Sequence, residues 1–212
     1  LEVIQGEGGV IPWPADYVRD VRSLCDESGT LLIIDDVQAG MGRTGNWFSW
    51  QDLNIEPDIA SVAKALANGL PIGACLATEE VAGAFQPGDH ATTFGGGPVV
   101  CAAALATITE IEDRGLLNNA LARGQQLRDG LMALDGVSGV RGKGLLLAAV
   151  LDDDLAPEVV AMALDNGLIV NAVRPNAVRW APPLSITGSE IDDAVAIFEE
   201  SLSAIRRDSD GH

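Results

Sequence analysis

Lys64 is the residue of this sequence best suited to act as a nucleophile. It follows the mainly apolar stretch 59–63 and precedes Ala65, and small neighbours leave room around its amine. An amine held among small and apolar groups is desolvated, which favours its uncharged, nucleophilic form. Such an amine forms Schiff bases with carbonyl compounds. The alternative is a surface lysine that opens a helix after a strand, and for an isolated lysine that alternative is preferred.

A pair of acids, Asp35 and Asp36, forms a second candidate site. Four large aliphatic residues at 31–34 precede the pair and predict a strand buried on both faces, as in a parallel sheet. The acids then fall at the carboxyl edge of the sheet, where α/β folds bind ligands. A carboxylate there can keep the ring nitrogen of a bound pyridine cofactor protonated, and Asp35 can supply that carboxylate. Gln38 can hydrogen-bond a hydroxyl group on the same ring. Helix capping and a magnesium site are the alternatives, although no third metal ligand stands out nearby.

Five motifs spread over nearly the whole chain carry a family resemblance. They are Gln5-Gly6-Glu7-Gly8-Gly9, Asp35-Asp36-Val37-Gln38 with Gly42-Arg43-Thr44-Gly45, Lys64 with Gly69-Leu70-Pro71-Ile72-Gly73-Ala74, Thr93-Phe94-Gly95-Gly96, and Arg179-Trp180-Ala181-Pro182-Pro183-Leu184. Together and in this order they resemble the class III pyridoxal-phosphate aminotransferases. Within that class they are most similar to the acetylornithine aminotransferases, with the ornithine and 4-aminobutyrate aminotransferases as near relatives.

The resemblance implies the cofactor and the residues that hold it. Pyridoxal 5'-phosphate is the expected cofactor, with Lys64 as the catalytic residue that binds it. The expected cofactor-binding residues are Asp35, Val37, Gln38, Lys64 and Thr93. By the same resemblance Thr93 reaches the cofactor phosphate of a neighbouring subunit, which implies a homodimer with shared active sites. Asp36 stands where the family usually has Glu, and we expect this departure to tune the site.

Three further residues are expected to bind substrate. Arg179 lies in an apolar, proline-rich stretch, and its planar guanidinium suits a carboxylate, although a structural ion pair is the alternative. The resemblance implies that Arg179 holds the substrate α-carboxylate, with Arg174 as the less favoured candidate. It also implies that Glu7 pairs with this arginine and releases it when the second substrate enters. Thr92 is expected to lie toward the substrate.

Composition excludes several classes of function. The 212 residues carry a net charge of −18, from 31 acidic and 13 basic residues, which argues against nucleic-acid binding. Three cysteines without close spacing indicate reduced thiols in a cytoplasmic protein and neither a disulfide framework nor a metal site. The sequence contains no stretch of eighteen consecutive apolar residues, so it predicts no membrane-spanning helix.

Periodicity and breakers predict alternating helices and strands in an α/β fold. Helices are expected over 14–28, 99–112 (apolar almost all round and therefore buried), 116–134, 157–166 and 190–206, with a frayed tail at 208–212. Strands are expected over 30–35, 59–63, 72–78, 137–141, 144–151, 168–171 and 177–180. We assign 1–114 to part of a large cofactor-binding domain with a mainly parallel sheet, as in pyridoxal-phosphate fold type I. Residues 115–212 are assigned to a small α+β C-terminal domain.

The expected function is amino transfer between small molecules. The donor is N-acetylornithine or a similar ω-amino acid and the acceptor is 2-oxoglutarate, giving glutamate and a semialdehyde. Ornithine, 4-aminobutyrate or diamine transamination and an aminomutase reaction are alternatives in the same class. The chain opens on Leu1 and runs straight into a motif, so we expect it to be the C-terminal half of a longer protein. An inactive fragment lacking the N-terminal half of the site is therefore a second alternative.

Overall fold

The chain folds into two compact units. A computed structural model describes residues 1–210. The first unit comprises Leu1–Ile4 and Trp13–Leu117, and the second comprises Gln5–Pro12 and Asn118–His212. The segment Gln5–Pro12 thus belongs with the second unit although it lies near the start of the chain.

The first unit consists of a three-stranded sheet and three helices. Its helices are α1 (Ala15–Ser28), the short α2 (Glu79–Ala82) and α3 (Pro98–Asp113), and 3-10 turns cover Gln51–Leu53 and Lys64–Ala67. Gly29 adopts a left-handed conformation with φ of 66° and ends α1, as its position after the periodic apolar residues predicts. The strands are β3 (Ile33–Asp35), β4 (Ile59–Val62) and β5 (Ala74–Ala77).

The sheet of the first unit is mixed and is covered on one face only. β3 and β4 pair in parallel, with Asp35 opposite Ser61, whereas β4 and β5 are antiparallel. Ile34 is fully buried, but Ile33 on the opposite face remains 49% exposed and Leu31 remains 51% exposed. The expectation of a strand buried on both faces is therefore wrong, because within residues 1–210 only the face of Ile34 is covered.

Helix α3 is also less buried than its composition predicts. Only Ala104 and Ile111 are buried along it, while Val99 and Leu105 are largely exposed. The expectation of burial all round is wrong for the described chain for the same reason as in the sheet. An apolar surface indicates that a helix can be buried, but the covering element must also be present.

The second unit packs an antiparallel sheet against three helices. Its helices are α4 (Leu116–Met132, whose first two residues fall in the first unit), α5 (Ala156–Asp165) and α6 (Gly188–Asp210). Its four strands are β6 (Val137–Lys143), β7 (Leu146–Leu151), β8 (Asn171–Arg174) and β9 (Ala177–Trp180), in the order β6-β7-β9-β8. Two short strands, β1 (Ile4–Gln5) and β2 (Ile11–Pro12), pair with each other, and β2 contacts β6.

One apolar core fills the space between this sheet and its helices. Phe198 of α6 is fully buried and meets the ring of Trp180 edge-on, with centroids 5.2 Å apart. The other buried members of the core come from the helices, the strands and the turns between them: Leu127, Leu131, Leu134, Val137, Leu147, Ala149, Leu151, Ala156, Val159, Val178, Ile191 and Leu202. The α/β class expected from the sequence is confirmed.

Most predicted boundaries in this unit lie within a few residues of the observed ones. The strand expected at 168–171 is misplaced, because the Leu168 N–H instead bonds to the Ala163 carbonyl and completes the end of α5. Helix α6 begins with a capping box in which Glu190 accepts the Thr187 N–H at 2.8 Å. It continues to Asp210, so the expected tail is helical up to that residue, and positions 211 and 212 lie outside the described residues.

Candidate active site

Lys64 occupies a strained position at the end of a strand. It follows β4 directly and opens the 3-10 turn Lys64–Ala67. Its φ is +44°, in the left-handed region that non-glycine residues seldom adopt. The Leu66 N–H holds the turn by donating to the Ala63 carbonyl at 2.9 Å. Strain of this kind is kept where surrounding structure enforces it, and it is common at functional sites.

Asp35 ends the strand next to the one that leads to Lys64. Its Oδ1 accepts the Val37 N–H at 3.1 Å and the Ser61 hydroxyl at 3.4 Å. Because β3 and β4 are parallel, their carboxyl ends meet at one edge of the sheet. The structure therefore brings the exposed Asp35 carboxylate and the exposed Lys64 amine to the same edge of the sheet.

Asp36 points away from that edge and into the protein. It is 1% exposed, and its Oδ2 accepts the Ser49 N–H at 3.0 Å. Burial raises the pKa of Asp36 above its ordinary value, the hydrogen bonds from Ser49 oppose this, and the charge of Asp35 adds to it. Asp36 thus organises the loop that follows β3, and of the two acids Asp35 is the one available to a ligand.

Desolvation does not distinguish Lys64 in the described chain. Lys64 is exposed, so the expectation that small apolar neighbours desolvate it is wrong for residues 1–210, which leave this sheet edge open. The only other lysine in the sequence is Lys143 of the second unit, and burial lowers its pKa. The case for Lys64 therefore depends on its place beside Asp35.

The remaining residues predicted for the cofactor are distributed along the first unit. Val37 and Gln38 are half-buried in the turn after β3. Thr92 and Thr93 are both exposed in the segment before α3, and Thr92 Oγ1 accepts the Gly95 N–H at 3.1 Å. This segment leads into α3, which packs on the 3-10 turn that Lys64 opens.

Arg179 and Glu7 form an ion pair within the second unit. Arg179 Nη1 lies 2.8 Å from Glu7 Oε1. The arginine side chain is only 18% exposed, whereas that of Glu7 is 71% exposed. A mostly buried arginine paired with an exposed acid can exchange that acid for the carboxylate of a ligand.

Two further arginines, Arg43 and Arg141, were not predicted as site residues, and Arg174 was only the less favoured candidate for the substrate carboxylate. Arg43 is half-buried, and burial lowers its pKa to about 10. Arg141 and Arg174 donate to the backbone carbonyls of Gly9 and Gly8, beside Glu7. The position of Arg43 between the glycines of its motif was the available signal in the sequence. The contacts of Arg141 and Arg174 depend on strand register and have no local signal.

Metal clusters and membrane-spanning helices are both absent from the part of the chain that the structure describes. Among the side chains that the structure describes, no three His, Cys, Asp or Glu gather closely enough to hold a metal ion. None of the helices described is both long and apolar enough to cross a membrane.

Comparison with known proteins assigns these motifs to one family. The family model for class III aminotransferases matches residues 1–202. The chain is 51% identical over 207 residues to an acetylornithine aminotransferase of Bifidobacterium longum, covering 94% of this chain and 48% of that protein. It spans about half the length of the relatives it matches.

Solved structures agree in fold. The crystal structure of ornithine aminotransferase from Toxoplasma gondii superposes with a TM-score of 0.91 at 34% identity, covering 98% of this chain and 51% of that one. The N-acetylornithine aminotransferase of Stenotrophomonas maltophilia gives a TM-score of 0.88 at 35% identity, with 98% and 56% covered.

Proposed function

This chain belongs to the class III aminotransferase family, and we propose that it forms the lysine-bearing and carboxylate-binding part of an aminotransferase. The proposed reaction moves the terminal amino group of N-acetylornithine, or of a similar ω-amino acid, to 2-oxoglutarate. The observation that carries the proposal is the placement of Lys64 and Asp35 at the carboxyl ends of adjacent parallel strands.

Pyridoxal phosphate is the cofactor of this family. It supplies an aldehyde that accepts amino groups and a ring that withdraws electrons. The donor set at the sheet edge fits that group, since it offers one exposed amine and one exposed carboxylate held by Ser61 and Val37. Lys64 and Asp35 would hold the cofactor, with Val37, Gln38 and Thr93 contributing further contacts.

Each of these residues has a distinct proposed task. The Lys64 amine binds the cofactor and, when released, moves a proton to and from the substrate carbon that bears the amino group. The Asp35 carboxylate keeps a proton on the ring nitrogen. Asp36 is proposed to act only indirectly, by shaping the turn between Asp35 and Ser49.

The Glu7–Arg179 pair supports the choice of substrates. While Glu7 neutralises Arg179, the pocket accepts an ω-amino group without binding an α-carboxylate at the arginine. When Glu7 swings away, Arg179 can bind the α-carboxylate of glutamate or 2-oxoglutarate in two parallel hydrogen bonds. The 71% exposure of the Glu7 side chain supports such a movement, because water can solvate the carboxylate when it leaves Arg179. Thr92 is proposed to lie on the substrate side of the site.

We further propose a cytoplasmic homodimer with shared active sites. The exposed segment around Thr93, with Phe94 90% exposed, supports a role in contacts between subunits. Cys25, Cys75 and Cys101 are free thiols, which supports a reducing compartment. In this assignment residues 1–114 are part of the cofactor-binding domain and 115–212 form the small domain.

The experiment is a single-turnover comparison of amino donors. The protein that contains this chain is loaded with pyridoxal phosphate and mixed with N-acetylornithine, ornithine, 4-aminobutyrate or glutamate, and the cofactor absorbance is followed. We expect N-acetylornithine to react fastest among the ω-amines. Glu7→Gln should raise the rate with glutamate relative to N-acetylornithine, because Arg179 is then no longer neutralised.

The alternatives give different results in the same experiment. A fastest reaction with ornithine, 4-aminobutyrate or a diamine would assign a sister activity of the class. Isomerisation of a donor without a 2-oxo acid would indicate an aminomutase. The absence of any absorbance change with every donor would show an inactive chain, and an unchanged donor ratio in Glu7→Gln would remove the switch from the mechanism.

A further inference from the structure

The loop that carries Glu7 lies on a sheet face bearing three arginines. The strand register places Arg141, Ala148 and Arg179 in one row across β6, β7 and β9. Arg174 of β8 lies opposite Ala177 of β9. Ala177 is two residues before Arg179 on β9 and therefore shares its face of the sheet, so Arg174 lies on that face as well. Val178 and Trp180 alternate with these residues and face the apolar core. The arginine face is therefore the side of the sheet opposite the core.

The two outer arginines hold the backbone of the loop. Arg141 Nε donates to the Gly9 carbonyl at 2.7 Å, and Arg174 Nε donates to the Gly8 carbonyl at 3.0 Å. Arg141 comes from β6 and Arg174 from β8, which are the two edge strands of the sheet. Two successive carbonyls are thus held from opposite edges, while Arg179 of the inner strand β9 meets the Glu7 carboxylate.

Packing around the loop is close. A Cβ atom added at Gly9 would lie 2.9 Å from Arg141 Nη2 and 3.1 Å from Arg174 Cγ, so both side chains press on this glycine. Val10 is fully buried with a φ of +54°, a strained conformation for a β-branched residue. The Gly9 and Val10 amides both donate to the Gly6 carbonyl. The loop therefore has one well-determined backbone conformation.

Like charges at this face require compensation. The two arginine side chains are close to each other, since both contact Gly9. Burial lowers the pKa of Arg141, and the charge of Arg174 lowers it further. Among the described residues neither has a carboxylate partner, and both are stabilised by backbone carbonyls. A pair of arginines that serves only as surface charge would have no reason to converge on two adjacent glycine carbonyls.

We propose that Arg141 and Arg174 are positioning residues that fix the Gly8–Gly9 backbone, so that Glu7 has one place, opposite Arg179. Release of Arg179 then requires only rotation of the Glu7 side chain while the loop stays in place. The two arginines act through Glu7 and thereby set the preference between ω-amine and α-amine donors. This inference depends on the proposed aminotransferase function.

The test uses Arg174→Gln in the cofactor-loaded protein, with Glu7→Gln as the reference. Arg206→Gln is the matched control, since Arg206 pairs with the exposed Asp135 of the same unit and does not touch the loop. We expect Arg174→Gln to shift the glutamate to N-acetylornithine rate ratio in the same direction as Glu7→Gln, by roughly threefold to tenfold for one lost charge-assisted hydrogen bond. Arg174→Lys should return the rate ratio part of the way to its native value, and Arg206→Gln should leave the native ratio unchanged.

Hydrogen exchange of the loop supplies a readout that does not depend on activity. In Arg174→Gln the amides of Gly9 and Val10 should exchange about tenfold faster, with the core helices unchanged. Gly9→Ala should loosen the same amides by displacing both arginines without removing a charge. A shifted ratio in Glu7→Gln with none in Arg174→Gln would overturn the inference and leave the proposed function standing. No shift in either variant would overturn the switch itself, and unchanged loop exchange would overturn the anchoring.

Discussion

The two units of this chain differ in how completely they bury their own apolar surface. The largest fully buried side chains lie in the second unit, including Phe198, Leu127 and Ile191, with Val18 and Ile34 as the first-unit exceptions. The first unit instead exposes Ile33 on its sheet and Val99 on α3. The second unit therefore has a large core of its own, whereas the first unit leaves part of its sheet and of α3 exposed and also contains polar links such as the Arg22–Asp58 pair.

This difference separates the two kinds of residue proposed for the site. Lys64 and Asp35 lie on the open edge of the less buried unit, where a strained backbone presents reactive groups. Glu7 and Arg179 lie on a sheet whose other face is packed against a complete core. Reactive groups at an open edge leave room for a cofactor, and recognition groups on a well-packed sheet keep precise positions. Four predictions test this contrast, beginning with the largest expected effect.

Replacing Lys64 should have the largest effect on activity. Lys64→Ala should lower single-turnover rates by several orders of magnitude, because the covalent attachment and the proton carrier are both lost. Lys143→Ala is the matched control and should leave the chemistry intact. Borohydride reduction of the loaded protein followed by peptide mapping should place the pyridoxyl group on Lys64. A label on Lys143, the desolvated lysine, would show that burial and not the place beside Asp35 selects the reactive amine.

Replacing Asp35 should have the second largest effect. Asp35→Asn should retain cofactor but lower turnover by orders of magnitude, since the ring proton loses its counter-charge. Asp36→Asn should change turnover far less, because an amide oxygen can still accept the Ser49 N–H. Turnover and bound cofactor are measured together in each variant. The reverse order of effects would mean that the acid inside the protein, and not the one at the sheet edge, serves the cofactor.

The same contrast explains how far the sequence predicts this structure. Local signals place the strand before Lys64, the end of α1 at Gly29 and the acid beside the sheet edge, because each depends on neighbouring residues. Burial of the 31–34 stretch and of α3 is not predicted correctly, since it depends on which elements cover them. The contacts of Arg141 and Arg174 with the loop depend on the register of distant strands, and composition carries no information about that register.

Core substitutions should distinguish the two units in stability. Phe198→Ala should destabilise the second unit by about 3–5 kcal/mol, through lost transfer energy and the cavity left beside Trp180. Ile33→Ala on the exposed sheet face of the first unit should change stability by less than about 1 kcal/mol. Urea unfolding, followed by hydrogen exchange of peptides from each unit, measures both effects. A comparable loss for Ile33→Ala would show that this sheet face is covered in solution, for instance by another copy of the chain.

The smallest expected effect concerns a polar link in the first unit and its dependence on pH. Asp58 Oδ2 accepts hydrogen bonds from Arg22 Nη1 at 2.7 Å and from the Leu32 N–H at 2.6 Å. It therefore links α1 to the segment that enters β3. The hydrogen bond from Arg22 and then the one from Leu32 hold the pKa of Asp58 below its ordinary value. Because the folded pKa is depressed, the stabilisation is present above the unfolded value of about 3.9 and is lost as pH falls through the folded pKa. Asp58→Asn should destabilise the unit at pH 7 by about 1–3 kcal/mol.

The difference between Asp58→Asn and the native chain should therefore shrink as the solution is acidified and vanish below the folded pKa. The matched control is Asp26→Asn, because Asp26 pairs with the same Arg22 at 2.6 Å but is 65% exposed. An exposed pair of this kind contributes about 0–1 kcal/mol, so its removal should leave both stability and its pH profile nearly unchanged. Urea unfolding at several pH values, read from first-unit peptides, measures both variants. Equal losses of stability in Asp26→Asn and Asp58→Asn would show that the Arg22–Asp58 pair contributes no more than an exposed ion pair. The stability of the first unit would then have to come from the apolar residues on the buried face of the sheet, around Ile34.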